Sequence, residues 1–359
     1  MNTEINSYFI IGVMSGTSLD GIDLAYVHFE KKTNYNFKVL ASTTFAYSEF
    51  WKQELANAIN YDDVELSKLN KAYTKYLADE ISRFIQEFKI DELDAIASHG
   101  HTIKHEPDNN YTLQIGNLPE IAMYLNTKVV CDFRVQDVQL GGQGAPLVPI
   151  GDILLFNEYR YCLNLGGFAN ISDKSDKQII AYDICAVNTV FNYYAQKLGK
   201  AYDDGGELAA SGKLNEELLQ KLNSLTFYRQ KPPKSLGIEW VRAEVLPILE
   251  GAELSVADIM HTYAIHVAQQ VANMLNFNKD KVLVTGGGAF NTYLIELFQK
   301  YSDCEFIIPK KEIIEYKEAI IFGLLGVLKL ENKINVLKTV TGAKKDHSSG
   351  VTFNAVKND

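Results

Sequence analysis

The chain is poor in the features that mark secreted, membrane-spanning or nucleic-acid-binding proteins. It has only four cysteines, Cys131, Cys162, Cys185 and Cys304, and no C-x-x-C pair. Neither a disulfide framework nor a zinc ribbon is expected, and a reducing compartment fits. A bilayer-spanning helix needs about 20 apolar residues, and the longest apolar run, Ala319–Leu328, is too short. The start Met1-Asn2-Thr3-Glu4 lacks the basic stretch of a signal peptide. Basic charge is also short: 35 Lys and Arg against 45 Asp and Glu leave a net charge of −10. That balance argues against a phosphate-backbone partner. No low-complexity segment occurs apart from a polar tail, Ala343–Asp359, which is expected to fray. The expectation is a cytoplasmic globular protein with neither a nucleic acid nor a membrane as partner.

What is present is enough for two cores. Domains average about 150 residues, and 359 residues with 47% hydrophobic content leave room for two. Strand-type runs at Tyr8–Met14, Ile22–Phe29 and Phe37–Ala46 are followed by an amphipathic helix over about Val64–Phe88. A strand at Ala95–Ser98, a helix near Leu118–Leu125 and a strand at Lys128–Arg134 come next. The glycine-rich segment Leu140–Pro146 reads as an inter-domain crossing. The second half repeats the order, with strands at Tyr161–Leu165, Ala169–Ser172 and Gln178–Ile184 and a helix at Val187–Leu198. The helix Val256–Leu275 starts at Ser255 with Asp258 three residues on, a cap signature. Strand Lys281–Thr285, helix Phe290–Tyr301, strand Glu305–Ile308 and helix Lys317–Leu330 complete the pattern.

Each half has a glycine-bearing turn between its first two strands. The first is Gly12-Val13-Met14-Ser15-Gly16-Thr17-Ser18-Leu19-Asp20-Gly21-Ile22-Asp23 and the second contains Gly166-Gly167. Clustered backbone N–H groups and hydroxyls suit a phosphate. The first turn has no lysine and closes a hairpin, so it is not a strand-to-helix Walker loop. An ordinary hairpin turn is the alternative. Two α/β domains facing each other would set both turns on one cleft, a common ligand location.

The motifs taken together resemble the anhydro-N-acetylmuramic acid kinase family, within the sugar kinase, heat-shock and actin ATPase superfamily. They are Gly12–Asp23, Ser98–Pro107, Leu113-Gln114-Ile115-Gly116, Cys131-Asp132-Phe133-Arg134, Leu140–Pro149, Asn164–Ser172 and Thr285–Asn291, in family order. The resemblance implies two actin-like (ribonuclease H-like) domains with mixed sheets flanked by helices and an inter-domain active-site cleft. The expected bounds are 1–138 plus about 331–359 for the N-terminal domain and 139–330 for the C-terminal one. It implies ATP and Mg²⁺, an anhydro-amino-sugar substrate, and a homodimer as one option. The implied reaction is ATP-dependent conversion of 1,6-anhydro-N-acetylmuramic acid to N-acetylmuramic acid 6-phosphate.

That chemistry needs a carboxylate base for water, donors around phosphates and a metal ion to offset charge. Asp183, emerging from the apolar run Ile179–Tyr182, is the expected base; a helix N-cap is its alternative. Arg134 matches a family active-site arginine and could pair with a carboxylate or a phosphate. Glu318 matches an acidic family position, though an acid in a first helical turn is also favoured by the macrodipole. The expected nucleotide contacts are Gly16, Thr17, Ser18, Leu19, Asp20, Gly21, Ile22 and Asp23, then Gly166, Gly167 and Asn170, then Gly286, Gly287, Gly288 and Asn291. His99, His101 and Asn188 are the expected substrate contacts, and Asp20 is the expected Mg²⁺ residue, through water. His99, His101 and His105 also form H-x-H-x₃-H, but a hydrogen-bonding role outweighs zinc because no ligand set completes a site apart from Glu106. The family has Thr-Gly-Pro-Gly-Asn after the base, where this chain reads Ile184-Cys185-Ala186-Val187-Asn188. The substitution leaves open a kinase for a different anhydrosugar, or a silent nucleotide- or sugar-binding regulator.

Overall fold

Side-chain alternation builds the first sheet. In β1 (Asn6–Ser15), Ile11 and Val13 face one side, while Ile10 and Gly12 face the other. Antiparallel pairing joins β1 to β2 (Gly21–Lys31) and β2 to β3 (Tyr35–Ala46). On the other side of β1 lies β4 (Ala95–Glu106), parallel to it, with β5 (Tyr111–Ile115) folded back on its far end. Beyond it β6 (Val129–Cys131) is again parallel, and the C-terminal strand Val351–Phe353 closes that edge.

The Ile11 and Val13 face is covered by the helix Asp63–Glu87, which buries Leu66, Leu69, Tyr73, Leu77, Ile81 and Phe84. Asp62 caps it, accepting from the Val64 and Glu65 amides at 2.9 and 2.8 Å, while Glu65 accepts from the Asp62 amide at 3.0 Å. A cap of this kind contributes about 1 kcal/mol. The opposite face receives the helix Lys311–Leu330 at backbone contact. A Cβ on Gly12 would lie 1.9 Å from the Ala319 carbonyl oxygen, so only glycine fits there.

The second sheet repeats the first. A meander of β7 (Tyr161–Leu165), β8 (Phe168–Asp173) and β9 (Ile180–Ala186) is extended by β10 (Lys281–Thr285) and β11 (Glu305–Ile307), both parallel. Its order, β11-β10-β7-β8-β9, matches β6-β4-β1-β2-β3. The helix Val256–Met274 buries Tyr263, Val267 and Val271 in this core, and Ser255 caps it at 3.1 Å from the Asp258 amide. Both cores are therefore mixed sheets flanked by helices, with the strand order of the actin-like fold.

The computed structural model describes residues 6–355 apart from 17, 175–178, 233 and 276–278. It divides into unit 1, Met1–Leu155 with Tyr316–Asp359, and unit 2, Phe156–Glu315. These bounds differ from the expected ones. Asp137, buried in unit 1, holds residues 142 and 144 there, and the helix Lys311–Leu330 packs on β1. Two further differences bear on function. That helix starts at Lys311 instead of Lys317, so Glu318 lies beyond its first turn and the macrodipole does not account for it. The C-terminal tail is not frayed through its described part. His347 and Ser349 are buried, and Val351–Phe353 is a strand.

Candidate active site

The β1–β2 hairpin puts the first turn at a sheet end. Leu19 donates from its backbone to Gly16 at 3.4 Å with a left-handed φ of 61°, and the Asp20 carbonyl accepts from the Tyr47 amide at 3.3 Å. Ser18 and Asp20 are exposed, and Thr17 lies outside the described residues. The other expected contacts are strand residues. Gly21 and Ile22 are buried in β2, and Asp23 accepts from the Thr44 hydroxyl at 2.6 Å.

Beneath the turn the Ser15 hydroxyl is the centre of a buried polar hub. It contacts His101 Nδ1 at 2.7 Å, Tyr47 at 2.6 Å and Tyr73 at 3.0 Å, and the two tyrosine hydroxyls meet at 2.5 Å. Burial lowers the His101 pKa to about 4 and raises that of the Tyr47 phenol to about 12, so the hub is uncharged near neutral pH. Tyr47 and Tyr73 were not singled out in the sequence. Tyr73 reads there only as a core position on a helix, because nothing in a helical period reports a hydroxyl's partner.

Arg134 follows β6 and Asp132, whose left-handed φ of 57° turns the chain. Its Nε donates to His99 Nε2 at 2.8 Å and its Nη1 to the Gly144 carbonyl at 2.8 Å. His99 in turn donates from Nδ1 to the Gly100 carbonyl at 2.8 Å, which leaves Nε2 as an acceptor. Burial, with the Arg134 charge behind it, holds the His99 pKa well below the usual histidine value. Desolvation lowers the Arg134 pKa to about 10, opposed by Glu318 and Asp137. At Glu318, desolvation by the surrounding protein raises the carboxyl pKa, with Arg134 and Lys317 opposing and Asp23 adding to the rise. Next to it Lys317 is paired with buried Asp152 at 2.7 Å. The structure thus brings His99, Arg134, Glu318 and Asp23 into one electrostatic neighbourhood of unit 1. His99 and His101 are committed to these bonds and His105 to Thr112, at 3.0 Å. Among the described residues no group of three His, Cys, Asp or Glu could hold a metal.

In unit 2 the parallel pairing of β10 with β7 sets Thr285 opposite Asn164, so the Gly166-Gly167 turn and Gly286 lie side by side. Gly286 has a φ of 80°, and a Cβ on it would lie 2.6 Å from Asn164 Oδ1 and 2.8 Å from the Leu165 carbonyl. Asn188 donates to the Leu165 carbonyl at 3.1 Å and stands beside Gly287 and Gly288. The turn also receives the start of the helix Asn188–Lys197. Gly167 accepts from the Val187 and Thr189 amides at 2.8 and 3.2 Å and Gly166 from the Asn188 amide at 3.3 Å. Asn291 is occupied differently, capping the helix Thr292–Tyr301 through the Leu294 amide at 2.9 Å. Against it packs the turn of Asp204, Gly205 and Gly206, where Gly205 accepts from the Thr292 hydroxyl at 3.0 Å. The sequence signal for that turn is the breaker cluster Asp203-Asp204-Gly205-Gly206.

Asp183 is a strand residue. It sits within β9 beside Asn170 of β8, and its amide donates to the Lys234 carbonyl at 2.9 Å. Its Oδ2 accepts from the Leu236 amide at 2.8 Å. The residue before the helix Asn188–Lys197 is Val187, which makes no side-chain cap, so Asp183 is not that helix's N-cap. Burial raises the Asp183 pKa, and the Leu236 N–H opposes that rise. The divergent residues Ile184, Cys185, Ala186 and Val187 are all buried in the unit 2 core. They present no side chain at the surface. All four cysteines are buried, and burial raises the Cys185 pKa above its ordinary value. His261 and His266 have structural partners, the Ala209 carbonyl at 2.9 Å and Asn223 at 2.7 Å.

Duplicated mixed sheets of one strand order, each with a glycine-bearing turn between its first two strands, define the actin-like ATPase and sugar kinase class. The family model for anhydro-N-acetylmuramic acid kinase matches residues 8–355. An anhydro-N-acetylmuramic acid kinase of Bacillus cereus (strain Q1) is 33% identical over 97% of this chain and 100% of its own length. One from Sulfurimonas denitrificans is also 33% identical, over 97% of this chain and 100% of its own length. Among solved structures, (R)-2-hydroxyglutaryl-CoA dehydratase component A from Acidaminococcus fermentans is similar with a TM-score of 0.45 and 14% identity. The match covers 88% of this chain and 96% of that one. The chain belongs to the anhydro-N-acetylmuramic acid kinase family. No helix among the described residues is long and apolar enough to cross a membrane.

Proposed function

We propose that this chain opens 1,6-anhydro-N-acetylmuramic acid with water and phosphorylates its 6-oxygen from ATP, giving N-acetylmuramic acid 6-phosphate and ADP. The observation that carries this is the placement of Asp183. One carboxylate oxygen is fixed by the Leu236 N–H, while Oδ1 has no hydrogen-bond partner among the described residues. A carboxylate held this way is oriented as a base, with its free oxygen available to water.

In this reading Asp183 takes a proton from water as the water oxygen bonds to the anomeric carbon. The bond from that carbon to the 6-oxygen breaks, and the released 6-oxygen attacks the terminal phosphorus of ATP, expelling ADP. Arg134 has two bonds that fix its plane and further N–H groups to offer a carboxylate or phosphate. Glu318 stands near enough to Arg134 to keep its charge balanced. Asn188 is assigned to the sugar, while His99 and His101, also expected there, are committed to Arg134 and Ser15 and serve to hold those groups. Residues 16–23, the Gly166-Gly167 turn with Asn170, and Gly286, Gly287 and Gly288 with the Asn291 backbone are assigned to the nucleotide. Mg²⁺ supplies charge neutralisation at the phosphates when bound. The fit for it is Asp20, an exposed carboxylate on a phosphate-type turn, and Mg²⁺ commonly takes one or two carboxylates and keeps several waters. The low cysteine content, four in 359 residues and no C-x-x-C pair, supports a cytoplasmic location.

Incubation with Mg-ATP and the anhydrosugar, followed by mass spectrometry, should show ADP and a phosphosugar in equal amounts. ADP without phosphosugar would overturn this reading. Bound but unconsumed ATP would favour a silent regulator, and turnover of only a different anhydrosugar would shift the substrate.

A further inference from the structure

We propose that residues 338–350 form a strap that sets the position of Arg134 through Thr341 and Asp137, making these two positioning residues of the reaction; this rests on the role given to Arg134 above. The link is a continuous run of hydrogen bonds within unit 1. Arg134 Nη1 donates to the Gly144 carbonyl at 2.8 Å, and the Gly144 amide donates to Asp137 Oδ2 at 2.7 Å. Asp137 is fully buried, and its other oxygen accepts from the Thr341 hydroxyl at 2.7 Å. His347 Nε2 approaches the same oxygen at 3.5 Å.

The strap also holds the intervening loop directly. The Thr341 carbonyl accepts from the Gln143 amide at 2.7 Å, and the Leu140 carbonyl accepts from the Lys344 amide at 3.0 Å. At Gly142 a Cβ would lie 2.2 Å from Asp137 Oδ2, so loop and carboxylate are in direct contact. The strap is itself anchored. Asn335 donates to the Leu325 and Ser349 carbonyls at 3.2 and 3.0 Å and accepts from the Ser349 amide at 2.7 Å. The Ser349 hydroxyl donates to the Phe133 carbonyl at 2.6 Å, next to Arg134 in sequence.

A guanidinium fixed at Nε by a neutral imidazole and at Nη1 by a carbonyl has its plane determined by those two groups. One of them, Gly144, is held by a loop with few side chains of its own, residues 140–144, which contain three glycines. Such a loop needs an outside carboxylate to fix it, and Asp137 fixed by Thr341 supplies one. Misplacing a group by about 1 Å can cost on the order of 10²-fold in rate.

The test is a double-mutant cycle in the full-length protein. Thr341→Val keeps the shape and removes the hydroxyl, and kcat for phosphosugar formation should fall about 10- to 100-fold. Thr341→Ser should restore most of it. In an Arg134→Lys background, Thr341→Val should cost little more, because the two act as one unit. Full activity in Thr341→Val while Arg134→Lys is impaired would overturn the strap and leave the Arg134 reading standing. Equal losses from Thr341→Val in both backgrounds, tracking a lower melting temperature, would also overturn it. Full activity in Arg134→Lys and Arg134→Ala would defeat the reading beneath. Asp137→Asn, measured the same way, replaces Thr341→Val if that variant does not fold.

Discussion

Arg134 Nε donates to His99 Nε2 at 2.8 Å, so the imidazole serves as a neutral acceptor whose remaining proton sits on Nδ1, against the Gly100 carbonyl. The arginine orients the histidine, and the histidine fixes the arginine's plane. Protonating His99 would set N–H against N–H across that contact and add a second positive charge beside Arg134.

His99 is therefore expected to stay neutral through the physiological range. Burial, then the Arg134 charge, holds its pKa well below the usual value, so the protonated form gains ground only at acid pH. Nitrogen-15 NMR of the histidine ring should show the Nδ1–H tautomer, with no titration between about pH 6 and 8, against an ordinary value of about 6.5. A His99 transition in that window would contradict the assignment.

Asp183→Asn should lower turnover by at least about 10²-fold, the lower range for removing a general base. Calorimetry should show ATP affinity largely unchanged, because the glycine segments assigned to the nucleotide keep their geometry. Retention of most of the rate would leave Asp183 as a structural acceptor for Leu236.

The pH–rate profile should carry an acid limb from Asp183. A base acts only when deprotonated, so rate falls as pH drops through its pKa. Burial places that pKa above the ordinary carboxylate value, while the Leu236 N–H favours the charged form and opposes the rise. Weakening that bond should move the limb to higher pH. Insertion of one glycine after Leu236, compared with the parent at several pH values, checks the direction; movement of the limb to lower pH would refute it.

Gly12→Ala should destabilise unit 1 by about 1–3 kcal/mol, the usual range for overpacking. Its Cβ would meet backbone, the Ala319 carbonyl oxygen at 1.9 Å, so rotamer adjustment cannot relieve it. Urea unfolding midpoints of the two proteins measure the difference. Equal midpoints would show that the helix Lys311–Leu330 can shift away from β1 without cost.

Chelating the metal should stop phosphosugar formation, and Asp20→Asn should raise the Mg²⁺ concentration needed for half-maximal rate. An unchanged requirement in Asp20→Asn would move the metal contact to another residue.

Local order made much of the fold legible. Alternating apolar residues marked β1, β2 and β7, helical spacing marked Asp63–Glu87, and Ser255 with Asp258 marked the start of Val256–Met274. These signals lie within one element, where side-chain period and capping act over a few residues. The repeat of strands and helices followed from the same signals. Asp183, Arg134 and the two glycine turns could be named as candidates because short motifs carry the family resemblance.

What the sequence could not determine was who meets whom. Asp137 reads as an unremarkable acid in Val135-Gln136-Asp137-Val138, yet it joins Gly144 to Thr341, 204 positions apart from Asp137 in the chain. Ser15, Tyr47, Tyr73 and His101 come from four separate segments and share one hub. The polar tail looked free because composition reports solubility and not partners, but Ser349 and His347 are buried against Phe133 and Asp137. Local residue patterns set the strands, helices and turns of this protein by short-range forces. Only the tertiary fold decided which buried polar groups satisfy one another, because a buried hydrogen bond depends on distance in space and not along the chain.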